Sequence, residues 1–449
     1  MTQKRSSFTG KIGFVLAAAG SAVGLGNIWR FPYLAAKYGG GVFLLVYIVI
    51  AVTFGFALMC AEIAIGRKTG KSAIGAFKSL DKRFSFVGVL ASFVPIIILP
   101  YYSVIGGWVT KYISVFATGS ATQAAKDGYF DAFISNPFEP IFWFLIFIGL
   151  SALIVLLGVE KGIEKISKIM MPVLVVLTLF VAVYSILMPG AMKGVIYYIA
   201  PDFSKFSVTT VLAAMGQLFY SMSLAMGIMI TYGSYMKKDV GIVSSVRQIE
   251  IFDTGIAFLS GLMIIPAVFA FSGEENLGQG PGLMFVTLPK VFDSMTGGNI
   301  IGTLFFVLVF FAALTSSISL METVVSIVRD KFGLGRKLAC LVVFIGSVLF
   351  GIPSSLGFGP WSNIKPLGFS LLDLFDFISN SVIMPIVALL TCVFVGFIIK
   401  PKTIIAEIEE NTRFKEKKLF EVVIKYVAPI CIILILVSSV LSSFGIIRI

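Results

Sequence analysis

The stretch that decides the fold runs from residue 20 to residue 27 and reads Gly-Ser-Ala-Val-Gly-Leu-Gly-Asn. It lies inside segment 11–36, which is long enough to cross a bilayer, since about 20 apolar residues suffice. Three glycines within seven residues destabilise a helix interior. Irregular backbone is tolerated at membrane depth only where protein or a water-filled cavity satisfies it. Taken alone, the stretch fits either a broken helix beside a cavity or a tight glycine packing face.

A second segment, 207–235, has the same character, because polar side chains and a glycine lie in its middle, from Gln217 to Gly227. Interruptions in the first and sixth helices are what two repeats of five helices would give, and such pairs point to a transporter site. Unwound backbone exposes carbonyl oxygens to a cation, and a half-helix N-terminus offers N–H groups to a carboxylate. These two features together fit Na⁺ and a zwitterionic amino acid.

The composition excludes a soluble protein. Only 13% of the 449 residues are charged and 58% are hydrophobic, whereas soluble domains carry about 25% charged residues. The chain contains no histidine, which removes the commonest metal ligand and the usual proton shuttle. Its four cysteines have no metal-ligand spacing. The net charge of +12 does not indicate nucleic-acid binding, because the basic residues concentrate in the loops on one side of the membrane.

The hydropathy pattern predicts one transmembrane domain, 1–449, with eleven helices, numbered 1 to 11 below: 11–36, 41–65, 84–117, 141–157, 165–187, 207–235, 248–271, 297–330, 336–352, 370–399 and 424–446. With the N-terminus inside, 26 of the 35 Lys and Arg residues fall on the cytoplasmic side, as the positive-inside rule requires. The first repeat would cover 1–190 and the second 207–400, followed by helix 11. No oligomeric state is predicted.

Several polar side chains occur within the apolar segments. Asp253 lies a few residues inside helix 7, where a carboxylate is costly and indicates function unless it sits at the interface. The run Thr315 to Ser319 in helix 8 offers hydroxyl ligands, although such side chains also bond back to their own helix. Tyr101 and Tyr102 in helix 3 fit either an interfacial aromatic belt or hydroxyls that face a substrate.

The sequence resembles a known family over nearly its whole length. The resemblance rests on these stretches: Gly20 to Pro32, Gly39 to Gly41, Glu62 with Gly66 and Arg67, Gly158 to Gly162, Gln217 to Gly227, Leu314 to Ser317, and Asp373 to Phe377. They are similar to the motifs of neurotransmitter:sodium symporters, in particular the prokaryotic eleven-helix branch. The resemblance implies an all-α integral membrane fold with a 5+5 inverted repeat and broken helices 1 and 6. It also implies a multi-pass protein of a bacterial cell membrane.

The resemblance further implies sodium-coupled import of hydrophobic or aromatic L-amino acids by alternating access, through two Na⁺ sites. The first site would comprise Ala22, Asn27, Ser221, Asp253 and the carboxylate of the substrate. The second would comprise Gly20, Val23, Ala312, Thr315 and Ser316. The substrate pocket would be formed by Ser21, Ala22, Gly26, Ile98, Tyr102, Tyr220, Ser221, Ser223, Met226, Ser316 and Leu320. The outer gate would pair Arg30 with Asp376 near Gln217, and the inner gate would pair Arg5 with Asp330 near Tyr235.

Three positions refine what the resemblance implies. Many bacterial members carry a glutamate one helical turn after the sodium ligand of helix 7, whereas this chain has Ala257 there and an aspartate, Asp253, as the ligand. We therefore expect Asp253 to supply the negative charge, which makes transport independent of chloride. Gly24 stands where monoamine carriers have an aspartate, which favours a substrate with its own carboxylate. Gly162 and Pro172 match a site at which helix 5 unwinds to admit water from the cytoplasm.

Other functions remain open at this level. A proton-coupled carrier of the same architecture would use Asp253 or Glu62 as the titrating group. A non-transporting amino-acid sensor would keep the same site without flux. An intramembrane enzyme is disfavoured because no nucleophile–base pair or metal cluster occurs in the sequence. A channel fits the glycine breaks less well than a closed central site does.

Overall fold

The computed structural model describes residues 6–272 and 282–444, and its regular structure is helical. Within these two ranges, the only pairing of extended backbone is a single bridge between Gly40 and Pro201. The prediction of an all-α fold is therefore confirmed. The predicted outer loops also carry short helices, among them Tyr129–Ser135 and Met192–Ile199.

Every predicted segment contains a helix or a broken pair of helices. The bounds are: 1a, Lys11–Ala22; 1b, Gly26–Lys37; 2, Gly41–Thr69; 3, Lys82–Ala117; 4, Glu139–Leu156; 5, Val159–Ile186; 6a, Val208–Ser221; 6b, Ile228–Gly233; 7, Ile242–Ser272; 8, Gly298–Phe332; 9, Arg336–Leu356; 10, Leu371–Ile398; 11, Lys417–Ser443. Helices 2, 7 and 11 extend beyond their predicted ends. The prediction followed the apolar core, and a helix continues past that core with charged residues such as Arg67 and Arg247.

Nine of these helices are long and apolar enough to cross a bilayer, and the pair 1a and 1b makes ten, counted over the described residues. Helix 6a is apolar but has only 14 residues, too few to span alone. We propose that helices 6a and 6b together form the eleventh span. The division into repeats 1–190 and 207–400 and the cytoplasmic N-terminus also stay predictions.

Helix 1 is interrupted where the three glycines lie. Helix 1a ends at Ala22, and Val23 has extended backbone with ψ 100°. The two halves meet at an angle of 55°. A tight but continuous glycine packing face would have kept the helix straight, so the alternative reading of this stretch is wrong.

Helix 6 is interrupted by backbone of unusual conformation. Ser223, Ala225 and Gly227 all have positive φ, of 53°, 60° and 70°. A non-glycine residue in the left-handed region costs roughly 1–2 kcal/mol and persists only where its surroundings over-determine it. Here the backbone N–H of Ala225 donates to Oε1 of the buried Glu62 at 2.7 Å. The hydroxyl of Ser223 donates to the carbonyl of Ser21 at 2.9 Å. Helices 1 and 2 thus hold the break open.

Helix 5 is wound along its whole length. It begins with a π-helical turn, Val159–Glu164, and continues through Pro172 to Ile186. Gly162 lies so close to the carbonyl oxygen of Ile154 in helix 4 that a Cβ there would overlap it. Unwinding between Gly162 and Pro172 would therefore be a departure from this structure, and it stays a prediction.

Candidate binding site

A small cavity lies between the breaks of helices 1 and 6. Its lining includes all eleven residues that the sequence predicts for the substrate pocket: Ser21, Ala22, Gly26, Ile98, Tyr102, Tyr220, Ser221, Ser223, Met226, Ser316 and Leu320. Gly24, Leu25, Asn27 and Ile228 complete the lining. Residues from helices 1, 3, 6 and 8 thus meet at one point, although they are up to 299 positions apart.

Asp253 of helix 7 is fully buried beside this cavity. Its Oδ1 accepts hydrogen bonds from the Asn27 amide at 2.8 Å and from the Ser221 hydroxyl at 2.6 Å. Three of the four residues predicted for the first Na⁺ site are therefore in contact, and Ala22 lies on the same cavity wall. Asn27 directs its nitrogen at Asp253 here, while its oxygen accepts from the N–H of Gly24. A cation between Asn27 and Asp253 would require the carboxamide to present its oxygen instead.

Tyr47 of helix 2 is a fourth contact of this cluster that the sequence reasoning missed. Its hydroxyl donates to Oδ2 of Asp253 at 3.1 Å and lies 3.2 Å from the Ser221 hydroxyl. The side chain is fully buried, and a buried tyrosine hydroxyl usually has a partner. The only sequence signal is a hydroxyl in the middle of an apolar run. With Tyr47 in place, both oxygens of Asp253 receive hydrogen bonds.

A second group of oxygens lies between the break of helix 1 and helix 8. The Ser316 hydroxyl is 3.1–3.4 Å from three carbonyl oxygens, those of Gly20, Ser21 and Val23. The Thr315 hydroxyl is 3.1 Å from the carbonyl of Ala312. That contact is within helix 8, but Thr315 also packs against Gly20, where a Cβ would lie 3.1 Å from Cβ of Thr315. All five residues predicted for the second Na⁺ site therefore lie close together, and carbonyls and hydroxyls are ligands that hard cations prefer. Within the described residues, no group of three or more His, Cys, Asp or Glu side chains is arranged to hold a metal.

Two glycines of the cavity wall allow neighbouring side chains to approach the backbone of helix 1 closely. A Cβ at Gly24 would lie 2.8 Å from Oγ of Ser316 and 3.1 Å from the hydroxyl of Tyr102. A Cβ at Gly26 would lie 2.5 Å from the ring of Tyr220. The Tyr102 hydroxyl lies against the backbone of the helix 1 break, where it accepts a hydrogen bond from the N–H of Leu25 at 3.4 Å. Donors at this end of the cavity suit a carboxylate.

The other end of the cavity is mainly apolar. Ile98, Met226 and Leu320 form its walls, and all three are buried. The hydroxyls of Ser21 and Ser223, which are 3.2 Å apart, form a small polar patch. Such a lining suits an apolar side chain, and the flexible methionine adapts to its shape.

The predicted pair of Arg30 and Asp376 is not a direct ion pair, since no such bridge within 4.0 Å joins them in the described structure. The Arg30 guanidinium lies over the ring of Tyr220, 5.2 Å from its centroid, where a cation is attracted to the π face. Asp376 instead accepts from the hydroxyl of Tyr101 at 3.0 Å and from the amide of Asn380 at 2.6 Å. Each of the two charges thus has a tyrosine as a partner, Tyr220 of helix 6a for Arg30 and Tyr101 of helix 3 for Asp376.

Gln217, the third residue predicted for this gate, is fully buried. Its side-chain amide donates to the carbonyl of Gly26 at 2.8 Å, which joins helix 6a to helix 1b. It therefore lies beside the cavity wall, as predicted, but it contacts backbone rather than either charged side chain.

Of the predicted inner gate, Arg5 lies outside the described residues. Asp330 accepts from the backbone N–H of Ser72 at 2.8 Å. The Tyr235 hydroxyl donates to the buried Glu322 at 2.8 Å. Glu322 in turn pairs with Arg336 at 2.5 Å.

The ring of Phe8 packs edge-on against Tyr232 and Tyr235, with centroids 5.6 and 6.2 Å apart. Neither Phe8 nor Glu322 was predicted from the sequence to belong to this gate. Of the two, only Glu322 is recognisable in the sequence, because it is a carboxylate inside an apolar segment.

Comparison with known proteins identifies the family. The model of the "Sodium:neurotransmitter symporter family" matches residues 5–125 and 134–445. An uncharacterised sodium-dependent transporter of Bacillus subtilis is 35% identical over 448 residues, which cover 98% of each chain. One from Haemophilus influenzae is 33% identical over 456 residues, covering 97% of this chain and 98% of its own.

A solved structure has the same fold. MhsT in complex with L-phenylalanine superposes with a TM-score of 0.88 at 38% identity, covering 97% of this chain and all of its own. The prediction of a family from the sequence motifs is confirmed. The chain belongs to the sodium:neurotransmitter symporter family, and it is therefore a membrane-embedded sodium-dependent transporter and not an enzyme.

Proposed function

We propose that this protein is a Na⁺-coupled symporter that imports hydrophobic or aromatic L-amino acids by alternating access. The observation that carries the proposal is the cavity itself, which has the Tyr102 hydroxyl and the backbone of Gly24 and Leu25 at one end and an apolar lining at the other. Oxygen clusters adjoin it on two sides. The phenylalanine complex of MhsT, a protein of the same family, supports this choice of substrate.

Coupling would arise at the first Na⁺ site. Asp253, Asn27, Ser221 and the carbonyl of Ala22 would be ligands of this ion once the Asn27 carboxamide presents its oxygen, and the substrate carboxylate would be a further ligand. Because each ligand completes the other's site, sodium raises the affinity for the amino acid and the amino acid raises the affinity for sodium. The Tyr102 hydroxyl would hold the second oxygen of that carboxylate.

The second Na⁺ would control the position of helix 1a. Ser316 and Thr315 belong to helix 8, whereas Gly20 and Val23 belong to the end of helix 1a and the break after it. An ion held between them joins the two helices. Its loss towards the cytoplasm would free helix 1a to move, which is the step that opens such transporters inward.

Chloride independence would follow from Asp253. The charge balance of two cations and a zwitterion in a buried site requires a nearby anion. Asp253 supplies one as a direct ligand, and Ala257, one turn later, has no charge to contribute.

The proposal is tested with wild-type protein in proteoliposomes that take up labelled leucine. Each of the twenty amino acids is added in excess, with and without an inward gradient of sodium, and with chloride or gluconate. We expect uptake only with sodium, no effect of chloride, and competition chiefly by hydrophobic and aromatic L-amino acids. Sodium-free uptake driven by a pH gradient would instead identify a proton-coupled carrier, and tight binding without flux would identify a sensor.

Helix 5 offers a separate prediction. Pro172 lacks the N–H that a helix interior uses, so Pro172→Ala restores a backbone hydrogen bond of about 1 kcal/mol. We expect net uptake to slow about fivefold because unwinding becomes harder, while exchange of substrate across the membrane slows less. Initial rates of uptake and of counterflow measure the two. Pro353→Ala in helix 9 is the matched control, and equal rates in all three proteins would contradict the role of helix 5.

A further inference from the structure

A second cavity, of about 460 Å³, lies away from the site described above, between helices 2, 7 and 11. Its polar lining includes Arg247, Glu250 and Glu416, and its apolar walls include Val52 and Ile251. None of these residues lines the transport cavity. The combination of charged groups and apolar walls calls for an explanation that transport does not give.

Glu250 is the unusual member of this lining. It is 93% buried, and its Oε1 has no hydrogen-bond partner within the described part of the chain. A buried carboxylate is costly unless it is paired. Arg247, one helical turn earlier on helix 7, is the natural partner, but its guanidinium pairs with Glu416, just before helix 11, instead. The cavity therefore contains a carboxylate that lacks a cation.

The residues around Glu250 indicate what kind of ligand would carry the missing cation. Val52 is 53% exposed and Ile251 is 71% exposed, and Leu419 adds a third exposed apolar side chain at the mouth. In a membrane-embedded chain, such side chains contact lipid acyl chains. The Arg247 side chain is 56% exposed at the rim, and within the described residues its guanidinium donates to Glu416 alone. A ligand with an anionic group, a cationic group and acyl chains matches all three features.

We propose that this cavity binds a phospholipid whose headgroup carries a primary ammonium. The ammonium would donate to Glu250 and the phosphate would accept from Arg247, while the acyl chains would run over Val52, Ile251 and Leu419. A primary ammonium has three donors, whereas a quaternary ammonium has none, so the site distinguishes ethanolamine from choline headgroups. Glu250 lies one helical turn before Asp253, so the bound lipid would brace helix 7 next to the transport site.

Native mass spectrometry of the purified full-length protein tests this proposal. The protein is titrated with dioleoyl phosphatidylethanolamine, phosphatidylcholine or phosphatidylglycerol. We expect the ethanolamine lipid to bind about tenfold more tightly than the choline lipid, the difference that one charge-assisted hydrogen bond supplies. Glu250→Gln should remove that preference. Asp239→Asn, which neutralises an exposed carboxylate just before helix 7, should keep it.

A second variant tests lipid binding at this cavity if Glu250→Gln fails to fold. Gly255 lines the cavity, and a Cβ there would meet no atom within 4 Å. Gly255→Leu should therefore fill the space without strain and lower binding of the ethanolamine lipid about tenfold, with Glu250 intact. Equal binding of ethanolamine and choline lipids by the wild type would overturn the proposal. So would stronger binding of the glycerol lipid, or a preference that survives Glu250→Gln or Gly255→Leu.

Discussion

Asp253→Asn is expected to lower sodium-driven uptake about 100-fold in chloride-free medium. The change keeps the size of the side chain but removes its charge. A hydrogen bond to a charged group contributes about 1.5–3 kcal/mol, and Asp253 accepts from Asn27, Ser221 and Tyr47 in addition to its proposed role as a sodium ligand. The loss of one such hydrogen bond together with the contact to the ion should raise the half-saturating sodium concentration about 100-fold. Initial uptake rates at graded sodium concentrations measure it.

Added chloride distinguishes a variant that has lost only the negative charge from one whose binding site is damaged. If Asp253 supplies the anion that the cations require, added chloride should restore part of the uptake in Asp253→Asn and change nothing in the wild type. Asp131→Asn, which alters an exposed carboxylate in a short outer helix, is the matched control. Chloride-dependent uptake by the wild type would refute the idea, as would full activity of Asp253→Asn without chloride.

Gly24→Ala is expected to abolish measurable uptake, with at least a 100-fold loss of affinity for the amino acid. The added Cβ would lie 2.8 Å from Oγ of Ser316 and 3.1 Å from the hydroxyl of Tyr102. Overpacking costs about 1–3 kcal/mol, and displacement of the carboxylate adds about 1.5–3 kcal/mol. Both penalties arise at Tyr102 and Ser316, which the proposal assigns to the substrate and to sodium. Equilibrium binding of labelled leucine to purified protein measures the affinity directly.

Gly216→Ala provides the comparison for this variant. Gly216 lies within helix 6a, and a Cβ there would meet no atom within 4 Å. The same chemical change should therefore leave binding near the wild-type level. Wild-type affinity in Gly24→Ala would contradict the roles proposed for Tyr102 and Ser316 beside this glycine.

The breaks in helices 1 and 6 could be predicted because each leaves a local signal in the sequence. Glycines clustered from Gly20 to Gly26 are visible in the sequence, and so are the polar residues from Gln217 to Gly227. Tyr47 could not be found in the same way. It reads as one more aromatic residue in an apolar run, and its partner Asp253 is 206 positions later. Its role depends on tertiary packing, which no local pattern encodes.

The outer gate illustrates a different limit. Sequence and resemblance identify Arg30 and Asp376 as opposite charges near the cavity mouth. They cannot decide which of several available partners each charge takes. In the structure, Tyr101 and Asn380 satisfy Asp376, and the ring of Tyr220 faces Arg30. Small differences in distance decide among these contacts, and a pattern of residue types carries no such distances.

The break in helix 6 also bears on how the chain assembles during synthesis. Its irregular backbone would be unstable in lipid without partners, since unsatisfied peptide groups are costly there. The partners seen here are Glu62 and Ser21, on helices 2 and 1, which leave the ribosome well before helix 6. The order of the chain thus ensures that a carboxylate and a carbonyl are already in the bilayer when this segment arrives. Insertion of the second half would then depend on the prior folding of the first.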